Sequence, residues 1–254
     1  MKTEHYLKKI RTYVRGEDHP EEEGVIYIVT DPEDIPSASG SGAAFVYYSD
    51  ASGGREQSSY PEGVKYVLEG EGEFDPEEFD DDYFETVYRR LRHIPLDILE
   101  TERCFIRETW IHDLDSFYGI YSDKSVTKYM EDLLERSEEE KYTENYRDLI
   151  YEIYGHGIWT VILKETGEII GRAGLDERAG YERPELGFLI GPKWQRQGLA
   201  EEVCRGILKW ASENDIDEVM SITEPENTAS VNLLKKLGFN RAESFDDKRD
   251  IWIM

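Results

Sequence analysis

The sequence predicts an α/β protein with a mixed sheet, in which a small N-terminal α/β domain precedes a larger one. Three observations predict this. Across residues 99–254, short apolar runs alternate with amphipathic stretches of helical spacing. In that region the run Glu185-Leu186-Gly187-Phe188-Leu189-Ile190 ends at Gly191-Pro192 and leads through a glycine-bearing loop into a helix. Residues 1–98 hold a separate set of short apolar runs, and the segment Pro95 to Leu99 divides the two sets.

In the first domain, Val25 to Val29 reads as a buried strand ended by Thr30-Asp31-Pro32. Ala43 to Tyr48 and Val64 to Leu68 read as two more strands, and Met1 to Tyr6 leads into a polar, helix-like stretch. Ser37 to Gly42 is small and flexible, a poor helix, and Ser49 to Gly54 reads as a mobile loop. The acidic segment Glu69 to Asp82 precedes a helix over Tyr83 to Arg92, which Pro95 ends. This order resembles part of a haloacid-dehalogenase-like domain. The paired aspartates that supply that family's nucleophile and metal site are missing: Asp31 stands in Thr-Asp-Pro without a partner two residues on. The domain is therefore expected to be a non-catalytic appendage. It would pack on the second domain, form a homodimer, or shape the acceptor entrance.

In the second domain, Cys104 to Arg107 reads as a strand, followed by a helix that starts at Trp110 to Asp115. Asp113 suits the first turn of that helix, where the dipole is positive. Val126 to Leu134 and Tyr142 to Ile153 read as helices separated by the charged stretch Glu135 to Lys141. Tyr129, Tyr142, Tyr146, Tyr151 and Tyr154 either line a pocket or pack the amphipathic faces. Ile158 to Leu163 and Ile169 to Leu175 read as a hairpin through Glu165-Thr166-Gly167-Glu168. Past the loop, Glu201 to Glu213 reads as a helix with Val203, Ile207, Trp210 and Ala211 on one face. A strand over Glu218 to Thr223 and a second helix complete the pattern.

Composition bounds the function. There are 56 acidic and 30 basic residues, a formal net charge of −26. Such a chain repels nucleic-acid phosphates and attracts cationic acceptors, although acidity serves solubility as well. No apolar run is long enough to span a bilayer, and no N-terminal targeting signal is seen. The two cysteines, Cys104 and Cys204, sit in apolar patterns, as buried free thiols do in a reducing cytoplasm. The five histidines lack metal-ligand spacing, so no metal is expected.

The loop Gln195-Arg196-Gln197-Gly198-Leu199-Ala200 carries the most information. Unpaired amides and the positive dipole end of the next helix converge on one negative charge, which suits a diphosphate. Gly198 permits close approach of the backbone. No Lys-Ser/Thr follows the glycine, which argues against a nucleoside-triphosphate site. Downstream stand Asn227-Thr228-Ala229-Ser230 and Leu237-Gly238-Phe239, and upstream Leu99 to Glu108 contains Glu100-Thr101-Glu102-Arg103. In this order the blocks resemble the GNAT family of acyl-CoA-dependent N-acetyltransferases, in the branch that includes ribosomal-protein N-terminal acetyltransferases. The loop is similar to the family's pyrophosphate signature at Gln195, Gly198 and Ala200. The resemblance covers about residues 99–245 and implies the GNAT fold, with acetyl-CoA as co-substrate. It also implies a primary-amine acceptor, either a small molecule or a peptide N-terminus, attacked directly in a ternary complex.

Acetyl transfer needs a base for the amine proton, a donor for the oxyanion and a donor for the leaving thiolate. The resemblance points to Glu185 as base, or as a carboxylate that only holds the acceptor, with Asp176 and Glu177 as runners-up. Phe188, Leu189 and Ile190 would offer main-chain groups to pantetheine and to the oxyanion. Gln195, Arg196, Gln197, Gly198, Leu199 and Ala200 would hold the pyrophosphate through their amides, with Arg196 adding charge or standing solvated. Asn227 would bond pantetheine or cap its helix. Many family members carry a Tyr four residues before the glycine of the Gly-Phe pair, where Leu234 stands here. Ser230 would replace that Tyr as donor, or serve as a packing or capping serine. A CoA-binding regulatory or interaction module without transfer is the alternative.

Overall fold

The computed structural model describes residues 6–17, 19, 21–52 and 60–254. Its contacts divide the chain into two compact units, Met1–Leu96 and Asp97–Met254.

The first unit holds a four-stranded, all-parallel sheet in the order β1-β2-β3-β4 (Lys9–Thr12, Val25–Val29, Phe45–Asp50, Val67–Gly70). The helices α1 (Ile35–Gly40) and α2 (Asp81–Leu91) complete it. Both faces of the sheet are covered, as parallel strands require. Ile26, Ile28, Val46 and Tyr48 pack with Phe84 and Tyr88, whereas Val25, Tyr27 and Val29 pack with Ile35 and Ala38. Three expectations need correction. Lys9–Thr12 is an edge strand rather than helix-like, because pairing with β2 satisfies its backbone while its polar side chains face water. Ser37 to Gly40 is helical, since Ala38 is buried and the preceding turn is capped by Asp31, which accepts the Glu33 N–H at 2.9 Å. The last strand begins at Val67 instead of Val64. In the expected loop, Ser49 and Asp50 end β3, while Gly53 and Gly54 lie outside the described residues.

The second unit is built on an eight-stranded mixed sheet in the order β11-β12-β10-β9-β8-β7-β6-β5. The strands are β5 (Asp97–Glu100), β6 (Cys104–Arg107), β7 (Ile158–Leu163), β8 (Ile169–Asp176), β9 (Glu185–Ile190), β10 (Met220–Thr223), β11 (Asn240–Ser244) and β12 (Asp250–Ile253). Neighbours are antiparallel except β9 and β10, which are parallel. Side chains alternate across β9. Leu189 packs with Leu114, Phe117 and Ile120 of α3 (Leu114–Tyr121). On the other face, Leu186 and Ile190 pack with Leu199, Val203 and Ile207 of α6 (Leu199–Glu213) and Leu234 of α7 (Thr228–Leu237). Cys104 and Cys204 are buried and unbridged.

The region between α3 and β7 departs from expectation. Val126 to Leu134 is a run of turns and extended chain, not a helix. Only Val126 of its apolar residues is buried, Met130 and Leu134 being exposed, so no helical stripe exists to bury. The helix α4 (Arg136–Tyr146) starts within the charged stretch expected to be a spacer. Glu138 and Glu139 occupy its first turn, favourably placed for the dipole. Buried Glu139 accepts the Leu134 N–H at 3.1 Å. A π-helical turn, Arg147–Tyr151, and the short α5 (Glu152–Tyr154) continue the helix.

Candidate active site

The central feature is a gap between β9 and β10. Their ladder holds one registered pair, Met220 with Glu185. The Met220 N–H donates to the Pro184 carbonyl at 3.0 Å. One step further the ladder fails: the Leu186 carbonyl accepts the Ser221 hydroxyl at 3.0 Å, and the Ile222 N–H turns to the Glu185 carboxylate. On a strand, the main-chain groups of every second residue face the same neighbour. Phe188 and Ile190 therefore turn their amides and carbonyls toward the gap. The Gln195 side chain takes up the Ile190 carbonyl at 2.8 Å. Leu189 faces the other way, paired with Arg172 of β8, and its side chain is buried against α3, so the structure removes it from the expected main-chain donors.

The loop after β9 is shaped by two left-handed residues, Arg196 (φ 60°) and Gly198 (φ 79°). The first bond of α6 runs from the Glu202 N–H to the Gly198 carbonyl at 3.0 Å. Among the described residues, the N–H groups of Arg196 to Glu201 have no protein acceptor. Six amides at the positive end of a 15-residue helix match the donor set a diphosphate needs. Gln195 differs from expectation, because its own N–H is spent on the Pro192 carbonyl at 3.3 Å. Its role is to tie the loop to the strand end. The side chain of Leu199 is buried in the core, so only its amide reaches outward.

One clamp on this loop was not expected from the sequence, although its arginine lies in the block Glu100-Thr101-Glu102-Arg103. Glu202 accepts from Arg103 at Nε (2.7 Å) and at the backbone N–H (2.7 Å). The same guanidinium donates from Nη1 to the Gln197 carbonyl at 2.9 Å. Holding that carbonyl inward turns the neighbouring amides outward. The pair is 94 residues apart, so only the fold reveals it.

The gap widens on its α3 side into a cleft of about 600 Å³. Glu185, Phe188, Asn227 and Ser230 all line it, together with Tyr129 and Tyr142. Gln195 to Ala200 lie past the other end of β9 and do not. Tyr146 and Tyr151 line a small adjoining pocket, while Tyr154 is exposed. Asn227 caps α7, its Oδ1 accepting the Ser230 N–H at 3.3 Å, which leaves the amide nitrogen for another partner. Ser230 sits in the first turn of α7, whereas Leu234 is fully buried one turn on and faces the core.

Glu185 is mostly buried and accepts from Arg178 at Nε (2.7 Å) and Nη2 (2.5 Å). Burial pushes its carboxyl above the usual carboxylate range, and the Asp176 charge adds to this. The Arg178 charge and hydrogen bond and the Ile222 N–H pull the other way without overcoming burial. A carboxylate so placed is a better proton acceptor near neutrality than a solvated one. Of the runners-up, Asp176 accepts the Tyr146 hydroxyl at 2.5 Å in the adjoining pocket. Glu177 faces His156 at 3.2 Å. Burial pushes the Cys104 thiol up to about 11, and that of Cys204 higher still, so neither offers a thiolate.

A splayed pair of parallel strands, a glycine-bearing anion loop and a buried carboxylate define an acyl-CoA-dependent transferase. Residues 103–240 match the family model described as the acetyltransferase (GNAT) domain. This match covers more than half of the chain, and the chain belongs to the GNAT acetyltransferase family. It is 30% identical over 152 residues to the uncharacterized N-acetyltransferase p20 of Bacillus licheniformis, covering 58% of this chain and 84% of that one. It is 27% identical over 150 residues to the N-acetyltransferase YnaD of Bacillus subtilis, covering 58% and 85%. Among solved structures, a GNAT-family acetyltransferase from Bacillus anthracis superposes with a TM-score of 0.52 at 22% identity, covering 63% of this chain and 98% of that one. A ribosomal-protein-S5-alanine acetyltransferase from Vibrio fischeri gives 0.53 at 14% identity, covering 61% and 94%. The chain is an N-acetyltransferase, and its family transfers acetyl from acetyl-CoA to amines. Among the described residues, no helix is long and apolar enough to cross a membrane.

Proposed function

We propose that this chain binds acetyl-CoA along β9 and acetylates a primary amine in one direct step, with Glu185 as base. The observation that carries this reading is the β9–β10 gap, with the Glu185 carboxylate at one end and six acceptor-less amides at the other. Acetyl-CoA supplies the activated acetyl group. The amides of Arg196 to Glu201 hold the diphosphate, with the exposed Arg196 guanidinium adding charge. Phe188 and Ile190 present main-chain groups to the pantetheine arm, and the Phe188 N–H is the oxyanion donor. The Asn227 amide nitrogen adds a bond to the same arm. Glu185, held by Arg178 and the Ile222 N–H, takes the amine proton directly or through one water. Ser230 donates to the departing sulfur in place of the missing Tyr. The two buried thiols, far from the thiolate form, support direct transfer over an acetyl-enzyme.

Calorimetry with acetyl-CoA, followed by thiol release against polyamines, aminoglycosides, amino acids and N-terminal peptides, tests the reading. Binding and turnover on one acceptor class are expected. Binding without turnover on any amine would leave a CoA-binding module, and no binding would overturn the assignment of the loop.

A further inference from the structure

Acidic side chains outnumber basic ones in this chain by 56 to 30, so an arginine without a carboxylate partner is unusual. In the second unit, Arg172 and Arg196 are the two arginines that make no ion pair among the described residues. Arg196 belongs to the anion loop. Arg172 lies on β8 in the other half of the site, where it lines both the cleft and the small pocket beside it.

Its guanidinium stands 5.5 Å from the ring centre of Phe117 and 5.6 Å from that of Tyr121. Two aromatic faces hold the cation in place but satisfy none of its N–H donors. The guanidinium lines the cleft, and its planar fork matches a carboxylate. Cross-strand register fixes where this fork stands. Arg172 is opposite Leu189, and Asp176 is opposite Glu185, with Gly174 and Gly187 paired between them. The rows at Arg172 and at Glu185 are four residues apart, about 13 Å along the sheet. Of these two glycines Gly187 lines the cleft, whereas the Gly157 carbonyl fills the space over Gly174. Arg172 and Glu185 both line this cleft, so a ligand in it can place one charged end at each row.

We infer that Arg172 binds a carboxylate of the acceptor, so that the preferred acceptor is an amine carrying a carboxylate several bonds away. This rests on the reading of Glu185 as the group that receives the amine. Such a zwitterion has little net charge and escapes repulsion by the −26 chain. Its ammonium end is drawn in by Glu131, Asp132 and Glu224 along the cleft. Acidity alone favours a polyamine, but a polyamine leaves Arg172 unpaired and sets a cation against it.

The test uses short peptides in matched pairs, Glu against Gln at the second or third position, alongside spermidine. Each is assayed by thiol release with the full-length protein and with Arg172→Gln and Arg172→Lys. The wild type is expected to prefer the Glu peptide at least about tenfold in kcat/KM. Arg172→Gln is expected to bring that ratio to about one, mainly through KM, and Arg172→Lys to restore part of it. Acetyl-CoA affinity and melting temperature, measured on the same variants, show that the fold is kept. A ratio near one in the wild type, or faster turnover of spermidine than of either peptide, overturns the inference and leaves the acetyltransferase reading intact. A ratio that survives in Arg172→Gln overturns it too. No turnover of any amine overturns both.

Discussion

Replacing Glu185 by Gln keeps the shape of the side chain and its ability to accept the Ile222 N–H, but removes its capacity to take a proton. The position lies at the start of β9, five residues before Ile190 and further still from the amides of Arg196 to Glu201. Acetyl-CoA affinity should therefore change less than twofold. Loss of a positioned general base costs about 10² to 10⁴ in rate, or about 2.7–5.4 kcal/mol of transition-state stabilisation. The reduction should appear in kcat. The pH profile supplies an independent check. Glu185 must be ionised to accept a proton, and burial raises its pKa, so wild-type activity should fall with decreasing pH above the ordinary carboxylate range. The Gln variant should lose that limb and keep only the dependence set by the amine. Stability has the opposite sign. A carboxyl whose folded pKa is raised contributes most below its unfolded pKa and loses that contribution as pH rises through the folded value. At neutral pH, keeping Glu185 ionised in its buried site therefore costs stability, and the Gln variant should melt no lower than wild type. Steady-state thiol release across pH, with calorimetry and thermal melting, reads all three quantities. Turnover within about threefold of wild type, with an unchanged acidic limb, would refute the base assignment and leave Glu185 as a binding carboxylate.

Two other perturbations probe the supports of the site. Arg103→Met removes the clamp on the Gln197 carbonyl while keeping most of the side-chain volume. Acetyl-CoA Kd by calorimetry should rise about tenfold, or about 1.4 kcal/mol, with kcat at saturation little changed. Gly174→Ala places a methyl 1.9 Å from the Gly157 carbonyl oxygen in the middle of the sheet, and urea unfolding should show a loss of about 3 kcal/mol.

The strands that build the cleft were legible because each announces itself locally. Ile158 to Leu163, Ile169 to Asp176 and Glu185 to Ile190 are apolar runs bounded by turn residues, and α6 has an apolar stripe at helical spacing. The acidic segment at Arg136 to Lys141 misled for the same reason: its helix has no apolar stripe and depends on acidic residues in its first turn. Strand β5 is only four residues long and β11 is largely polar, and each has a single partner strand, so neither stands out in the sequence.

By itself, the sequence determined the family, the strands and helix that frame the cleft and the loop that suits a diphosphate, since glycine freedom, helix dipole and apolar period are properties of neighbouring residues. The tertiary structure alone decided which groups meet. It turned Leu189 away from the gap and spent the Gln195 amide on a turn. It set Arg103 against a carbonyl 94 residues away, and buried Glu185 beside Arg178. It also left Arg172 between two aromatic rings without a carboxylate. Ion pairing, burial and strand divergence depend on distances between residues remote in the chain, and those distances exist only once the sheet has formed.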